Sequence, residues 1–330
     1  MKRLASFRVL CGLVLFAAGL SVAVAAEPAT SPEKADEDFK FQGEYAGTLN
    51  RDGERTEQGV QVIALGGGKF DAVGYHGGLP GAGWDGSDKV RASGQLKGSE
   101  LVIANAEGDA KAVIRDGKMT ISVDGSELGT LDRVERKSDT LGAKPPEGAA
   151  VLFAGKEADL KNFKEGARFE NGGLREGFTS KQEFDDYKLH LEFMLSYMPE
   201  ARGQARSNSG VYQQGRYEVQ VLDSFGLEGA DNECGGVYKA KAPSVNMCLP
   251  PLQWQTYDID FTAAKYDGDT KTAPARMTVK HNGVVIHNNI EVPAGTPGGT
   301  QAEGPGPGPL FAQNHGNPVF FKNIWVVPKK

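Results

Sequence analysis

The stretch "GRYEVQVLDSFG", residues 215–226, places acid–base chemistry on what reads as a single β-strand. Tyr217, Val219 and Val221 alternate on one side, the pattern of a strand buried on one face. Arg216, Glu218 and Gln220 occupy the other side, and Asp223 stands at the strand end. An ordinary antiparallel sheet with one wet face would carry the same row. The chemical alternative is that this face lines a carbohydrate site, where carboxylates act as base, acid or metal ligand. If "QGR" forms a hairpin, Tyr212 and Gln214 come from the neighbouring strand and join the set.

The rest of the chain bounds where such a site works. Lys2, Arg3 and Arg8 precede an apolar run from Val9 to about Val24 that ends in small residues, the pattern of a secretory signal peptide over residues 1–26 with cleavage after Ala25 or Ala26. The expectation is an exported protein, periplasmic or extracellular, with no membrane span in the mature chain. Cys11 lacks the small-residue box of a lipid-anchored cysteine. Removing three basic residues and no acidic ones takes the formal charge from −6 to −9, which argues against nucleic acid as a partner. Cys234 and Cys248, with 13 residues between them, are the only mature cysteines. In an oxidising compartment they are expected to pair, for about 3 kcal/mol of stabilisation.

Several elements must position these residues. Residues 27–38 lack periodicity and read as a disordered lead-in. Residues 39–135 are short strands broken by glycine, with hairpin signals at Asp116-Gly117 and Asp124-Gly125, and predict a smaller antiparallel β domain. Its glycine-rich loops lack Walker spacing and are turn chemistry. Residues 136–148, "RKSDTLGAKPPEG", read as a linker. From 149 to 330 strands dominate again, Asn282-Gly283 marks a hairpin, and no long helical period occurs. The whole is all-β, its C-terminal part a two-sheet sandwich or jelly roll. "PAGTPGGTQAEGPGPGP" near the end is a surface loop or a loop that edges a site.

Five segments, "LFAGKEADLKNF", "NSGVYQQGRYEVQVLDS", "CGGVYKAKAPSVN", "PLQWQTYDIDF" and "FAQNHGNPVFFKNIWV", stand in the order and spacing of the 3-keto-disaccharide hydrolase family, also called 3-keto-glucoside 1,2-lyase/3-keto-2-hydroxyglucal hydratase. The chain resembles that family over about residues 150–329. The resemblance implies a concanavalin A-like jelly roll. Departures are Phe163 where Trp is common, Lys322 where Arg is usual, "FAQNHG" for "GLQDHG", and "PEARGQAR" lengthening the loop before Asn208.

The implied reaction is an elimination. A sugar oxidised at C3 has an acidic C2 proton, and the C1 oxygen is a β-leaving group, so the site needs a base, a donor for the enolate oxygen and an acid for the departing oxygen. Hydration of the enone completes net glycosidic hydrolysis, unlike the two-carboxylate attack on an acetal. Glu218, Asp223 and His315, the one histidine within a family motif, are the expected catalytic residues. The same three could bind a divalent metal, the only cofactor considered. Asn208, Tyr212, Gln214, Gln220, Tyr238, Lys239, Trp254 and Gln313 are expected to bind a glycoside oxidised at C3. Lys239 or Lys241 could supply positive charge near an enolate, although as a pair they read more readily as surface lysines. His281 and His287 read as exposed hairpin residues, and His190 as a polar-face residue. The alternative is a non-catalytic carbohydrate-binding module of the cell envelope, using Trp254, Tyr212 and Tyr217 as aromatic platforms.

Overall fold

The computed structural model describes residues 27–329; the signal-peptide reading, with Cys11, lies outside them. Eight antiparallel strands close into a barrel: β1 (Gly43–Arg51), β2 (Glu54–Gly66), β3 (Lys69–His76), β4 (Val90–Lys97), β5 (Glu100–Ala104), β6 (Ala110–Arg115), β7 (Lys118–Val123) and β8 (Ser126–Val134), with β1 pairing β8. The turns follow the sequence signals. Asp116-Gly117 and Asp124-Gly125 both have left-handed backbones, which Asp tolerates and Gly adopts freely, and such pairs match strand twist in two-residue hairpins.

The C-terminal part is a two-sheet sandwich. Its larger sheet runs, in spatial order, β10 (Phe169–Glu170), β11 (Gly173–Arg175), β22 (Val319–Pro328), β13 (Tyr187–Leu195), β16 (Trp254–Thr262), β19 (Ala275–His281) and β20 (Val284–Val292), with β9 (Ala150–Phe153) also on β22. The smaller sheet is β12 (Thr179–Phe184), β21 (Gly308–Ala312), β14 (Asn208–Gln213) and β15 (Tyr217–Leu222), and a short hairpin joins β17 (Lys265–Asp267) to β18 (Thr270–Ala273). Alternation fills the space between the sheets: Leu189, Leu191 and Phe193 face Val211, Val219 and Val221 across one core.

Three segments differ from the sequence reading. Residues 27–38 are ordered, because the backbone of Ala29 exchanges hydrogen bonds with Tyr197 and the Tyr197 hydroxyl donates to Asp36. The linker is strapped to the outer face of the large sheet. There Ser138 bonds Thr256 at 2.6 Å, Thr140 donates to Asp258 at 2.7 Å, and the Gly142 amide donates to Glu192 at 2.6 Å. Beneath the strap His190 is fully buried, 2.7 Å from Asp258 and stacked on Trp325. Burial alone would lower its pKa, but bonds and charge from Asp258 and Glu192 outweigh that and raise it. His281 and His287 are also buried: His281 lies beside Gln255, and His287 is 2.7 Å from the Gly235 carbonyl.

The barrel and sandwich share a seam. Ile63, Val73 and Tyr75 from the barrel wall belong to the sandwich core cluster, and Gly226 is a glycine where any side chain would strike Ile63.

Candidate active site

The hairpin β14–β15 turns at Gln214-Gly215, both left-handed, and its register sets Tyr212 opposite Glu218 and Gly210 opposite Gln220. Because Tyr217, Val219 and Val221 point into the core, Glu218 and Gln220 project from the outer face of the small sheet. Loops cover that face so completely that Glu218 is 2 % exposed. The glycine- and proline-rich stretch is one of them: the Thr296 hydroxyl accepts from the Glu218 amide at 2.8 Å, and the Thr296 amide donates to Arg216. Residues 235–238 lie along the other side of β15, where the Tyr238 amide donates to the Glu218 carbonyl. Gly210 is glycine for a steric reason, since a Cβ there would collide with the Glu218 carboxyl.

One hydroxyl sits at the centre. The Tyr212 oxygen is 2.8 Å from Glu218 Oε2, 2.7 Å from the Pro297 carbonyl and 3.5 Å from the Gln313 amide nitrogen. A phenol has one proton to give, and the Pro297 carbonyl can only accept. If Tyr212 donates to Pro297, its contact with Glu218 is satisfied only when Glu218 carries a proton and donates it to the phenol oxygen. Burial independently favours the protonated form: desolvation pushes the Glu218 pKa up to about 7, although a bond donated by Tyr212 to the carboxylate opposes it. Tyr212 is itself held neutral, its pKa raised by burial and then by the neighbouring Glu218. This is a carboxyl poised to give and take a proton near neutral pH.

Beside it lies a patch of amides. Gln204, from "PEARGQAR", donates to the Asn232 carbonyl at 2.8 Å and accepts from Gln220 at 3.1 Å and Asn208 at 3.2 Å. Asn208 is buried and its Oδ1 has no hydrogen-bond partner. Gln313 joins the patch through backbone, its amide donating to the Gly210 carbonyl and its carbonyl accepting from Ser209.

Residues 105–327 match the sequence model of the 3-keto-alpha-glucoside-1,2-lyase-like domain family. The chain belongs to that family. Among solved structures, it is similar to a provisionally assigned glycosyl hydrolase from Parabacteroides distasonis, with 30 % identity, a TM-score of 0.50, and coverage of 56 % of this chain and 85 % of that one. A second provisionally assigned glycosyl hydrolase from the same organism shares 17 % identity over 56 % of this chain and 95 % of that one, with a TM-score of 0.41. No curated protein matches the chain. The family match begins within the barrel, earlier than the five segments indicate. Family and fold together make this a carbohydrate-active protein of the glycoside-acting kind.

In this lyase-like member the expected site residues divide. Glu218, Tyr212, Gln220, Asn208 and Gln313 share the covered face, and half-buried Tyr238 stands beside it through its backbone amide on the Glu218 carbonyl. Asp223 does not join them. It accepts from Arg206 Nε at 2.7 Å and from the Phe225 amide, a buried ion pair on the side toward the barrel. His315 stands on the exposed turn between β21 and β22. Gln214 is structural: it donates to the Phe184 carbonyl and accepts from Arg216 behind the hairpin. Trp254 begins β16, an inner strand of the other sheet, beneath the ammonium of Lys322 at 4.0 Å, and Tyr217 points into the core. Lys239 and Lys241 are exposed, Lys239 over the Tyr238 ring.

One possibility finds no support and one expectation is corrected. Glu218, Asp223 and His315 do not fit a metal: among the described residues no three His, Cys, Asp or Glu side chains are placed to hold one, and Asp223 is already held by Arg206. The disulfide is not formed. Cys234 and Cys248 are free, buried and close together; Cys234 bonds the Tyr257 hydroxyl at 3.3 Å, while Cys248 is near the Leu222 and Leu249 carbonyls. Sequence reasoning missed Gln204, Thr296, Pro297 and Gly298 as individuals. Only the loop composition pointed toward them.

Proposed function

We propose that this protein cleaves glycosides oxidised at C3 by elimination and hydration, as an exported enzyme. The reading rests on one observation: a covered carboxyl with a pKa near neutrality, Glu218, bonded to Tyr212 on the sheet face. Ionised Glu218 takes the C2 proton of the 3-keto sugar, and the C2–H electron pair forms the enolate with C3. The Gln313 side-chain amide, 3.5 Å from the Tyr212 oxygen, borders this position and supplies a neutral donor for the enolate oxygen. Collapse of the enolate makes the C1–C2 double bond and expels the C1 oxygen, which takes the proton that Glu218 has just accepted. Water then adds at C1, C2 regains a proton, and the products are those of hydrolysis.

Substrate entry requires the 293–301 loop to lift from Tyr212, since Glu218 is 2 % exposed. The binding-module alternative loses its aromatic platform, because Tyr217 is in the core and Trp254 lies on the other sheet.

Purified protein incubated with 3-keto-trehalose and 3-keto-sucrose should release glucose or fructose, with a transient ultraviolet absorbance from the enone. Equal cleavage of unoxidised trehalose and sucrose would overturn the elimination mechanism. No release from either keto sugar by folded protein would overturn the activity.

A further inference from the structure

The barrel is filled at one end and hollow at the other. At the closed end Tyr45, Phe70, Leu101, Met119 and Leu131 pack inward, with Phe39 and Phe41 against them. Space there is so short that Gly94 admits no side chain: a Cβ would lie 2.8 Å from Ile103 and 3.0 Å from Leu101. Toward the other end the small inward residues Ala72, Gly74, Ala92 and Ala112 alternate with larger ones such as Leu49, Ile121 and Leu128, and Met119 forms part of the floor of a cavity of about 320 Å³.

An eight-stranded barrel is just wide enough to be filled by side chains or to hold one small ligand, and here small residues choose the second. Ala92, Ala112 and Ile121 point inward yet remain half-buried, and Val90 at the rim is 57 % exposed, so water reaches an apolar wall. Such a wall favours an apolar occupant over solvent, and the volume sits at the lower end of small-molecule sites. The rim sets the polarity of the guest. Gln58 is half-buried at the mouth, and its side-chain amide makes no hydrogen bond among the described residues, leaving one donor–acceptor group for a polar end. Arg51 and Lys111 are the ionisable residues in the lining, and the mouth loops set Asp52, Glu54, Asp85, Asp88, Glu107, Asp109 and Asp124 against Arg55 and Lys89, so charges of both signs crowd the mouth with a net acidic balance that opposes an anionic headgroup.

We propose that the hollow end of the barrel is a binding site for one small, uncharged, mainly apolar molecule carrying a single hydrogen-bonding group. The site is independent of the Glu218 chemistry.

The test titrates the full mature chain with the uncharged fluorophore N-phenyl-1-naphthylamine. Saturable enhancement at one site per chain is expected. Ala112→Phe fills the cavity and should weaken binding at least tenfold while the melting temperature holds. Ala92→Leu, nearer the mouth, supplies the same test if Phe is not accommodated. The proposal is overturned if the wild-type chain shows no saturable binding, or if a folded filled variant binds as the wild type does. Tighter binding of the anionic 1-anilinonaphthalene-8-sulfonate than of the neutral probe would overturn the assigned ligand class.

Discussion

Glu218→Gln separates a catalytic carboxyl from an ordinary polar one through stability as well as rate. Tyr212 donates to Glu218 Oε2 at 2.8 Å, and the Gln amide offers an oxygen to accept and an NH2 group to donate in the same place, so the hydrogen-bond pattern survives the change. The pH dependence does not. Glu218 has its pKa raised from 4.5 to about 7 by burial, so between those values the folded protein binds more protons than the unfolded chain. The stability this confers is fully present below pH 4.5 and is lost as pH rises through about 7. A shift of that size corresponds to about 3 kcal/mol. The Gln variant lacks the titration. It should therefore match the wild type below pH 4.5 and melt several degrees higher at pH 8 to 9. Turnover of a 3-keto-disaccharide by the same variant should fall about 10²- to 10⁴-fold, the usual contribution of a general base. Melting curves at half-unit pH intervals, with turnover at pH 7.5, decide the matter. Parallel melting profiles for the two proteins would refute the buried, protonated carboxyl, and full activity in the folded Gln variant would refute its role.

Three other outcomes follow from the geometry. Gly298→Ala places a Cβ 2.6 Å from the Tyr212 hydroxyl on a backbone with φ of +87°, so activity should drop at least tenfold with little change in far-ultraviolet dichroism; wild-type kinetics would contradict the contact. Arg206→Ala leaves Asp223 charged and buried without its partner, which costs about 3–5 kcal/mol, and urea titration should show that loss, whereas a change below about 0.5 kcal/mol would mean the pair is not desolvated. Thiol titration of the denatured, unreduced mature chain should find Cys234 and Cys248 both reactive; none free would show that the pair oxidises.

Alternation carried the sequence reading far. The period of Tyr217, Val219 and Val221 placed Glu218 and Gln220 on one face, and the Asp-Gly and Asn-Gly pairs located hairpins that the backbone confirms. What alternation cannot report is what covers a face. Glu218 reads as wet and is buried because a loop some 80 residues away folds over it, through Thr296 and Pro297. The same blindness misjudged His281 and His287. Asp223 and Trp254 failed for another reason: a residue at a strand end or on the second sheet is assigned its side by tertiary packing, which local period does not encode. The strap over His190 was hidden because "RKSDTLGAKPPEG" has a linker's composition, and its ordering comes from Thr256, Asp258 and Glu192, far along the chain.

The shared seam also bears on where the chain divides. A fragment beginning at residue 105, where the family match starts, would keep β6 to β8 and lose the five strands that complete the barrel. Three orphan strands cannot close, and their unpaired edges would invite association between copies. A cut at residue 149 avoids that fault but uncovers Phe225 and Met247, which Ile63, Val73 and Gly81 now shield, and discards the Ala64 carbonyl that Arg206 faces. The barrel therefore works as a wall of the sandwich as well as a neighbour to it, and a fragment from Ala29, which pairs with Tyr197, to the last strand is expected to be more stable than one begun at residue 149.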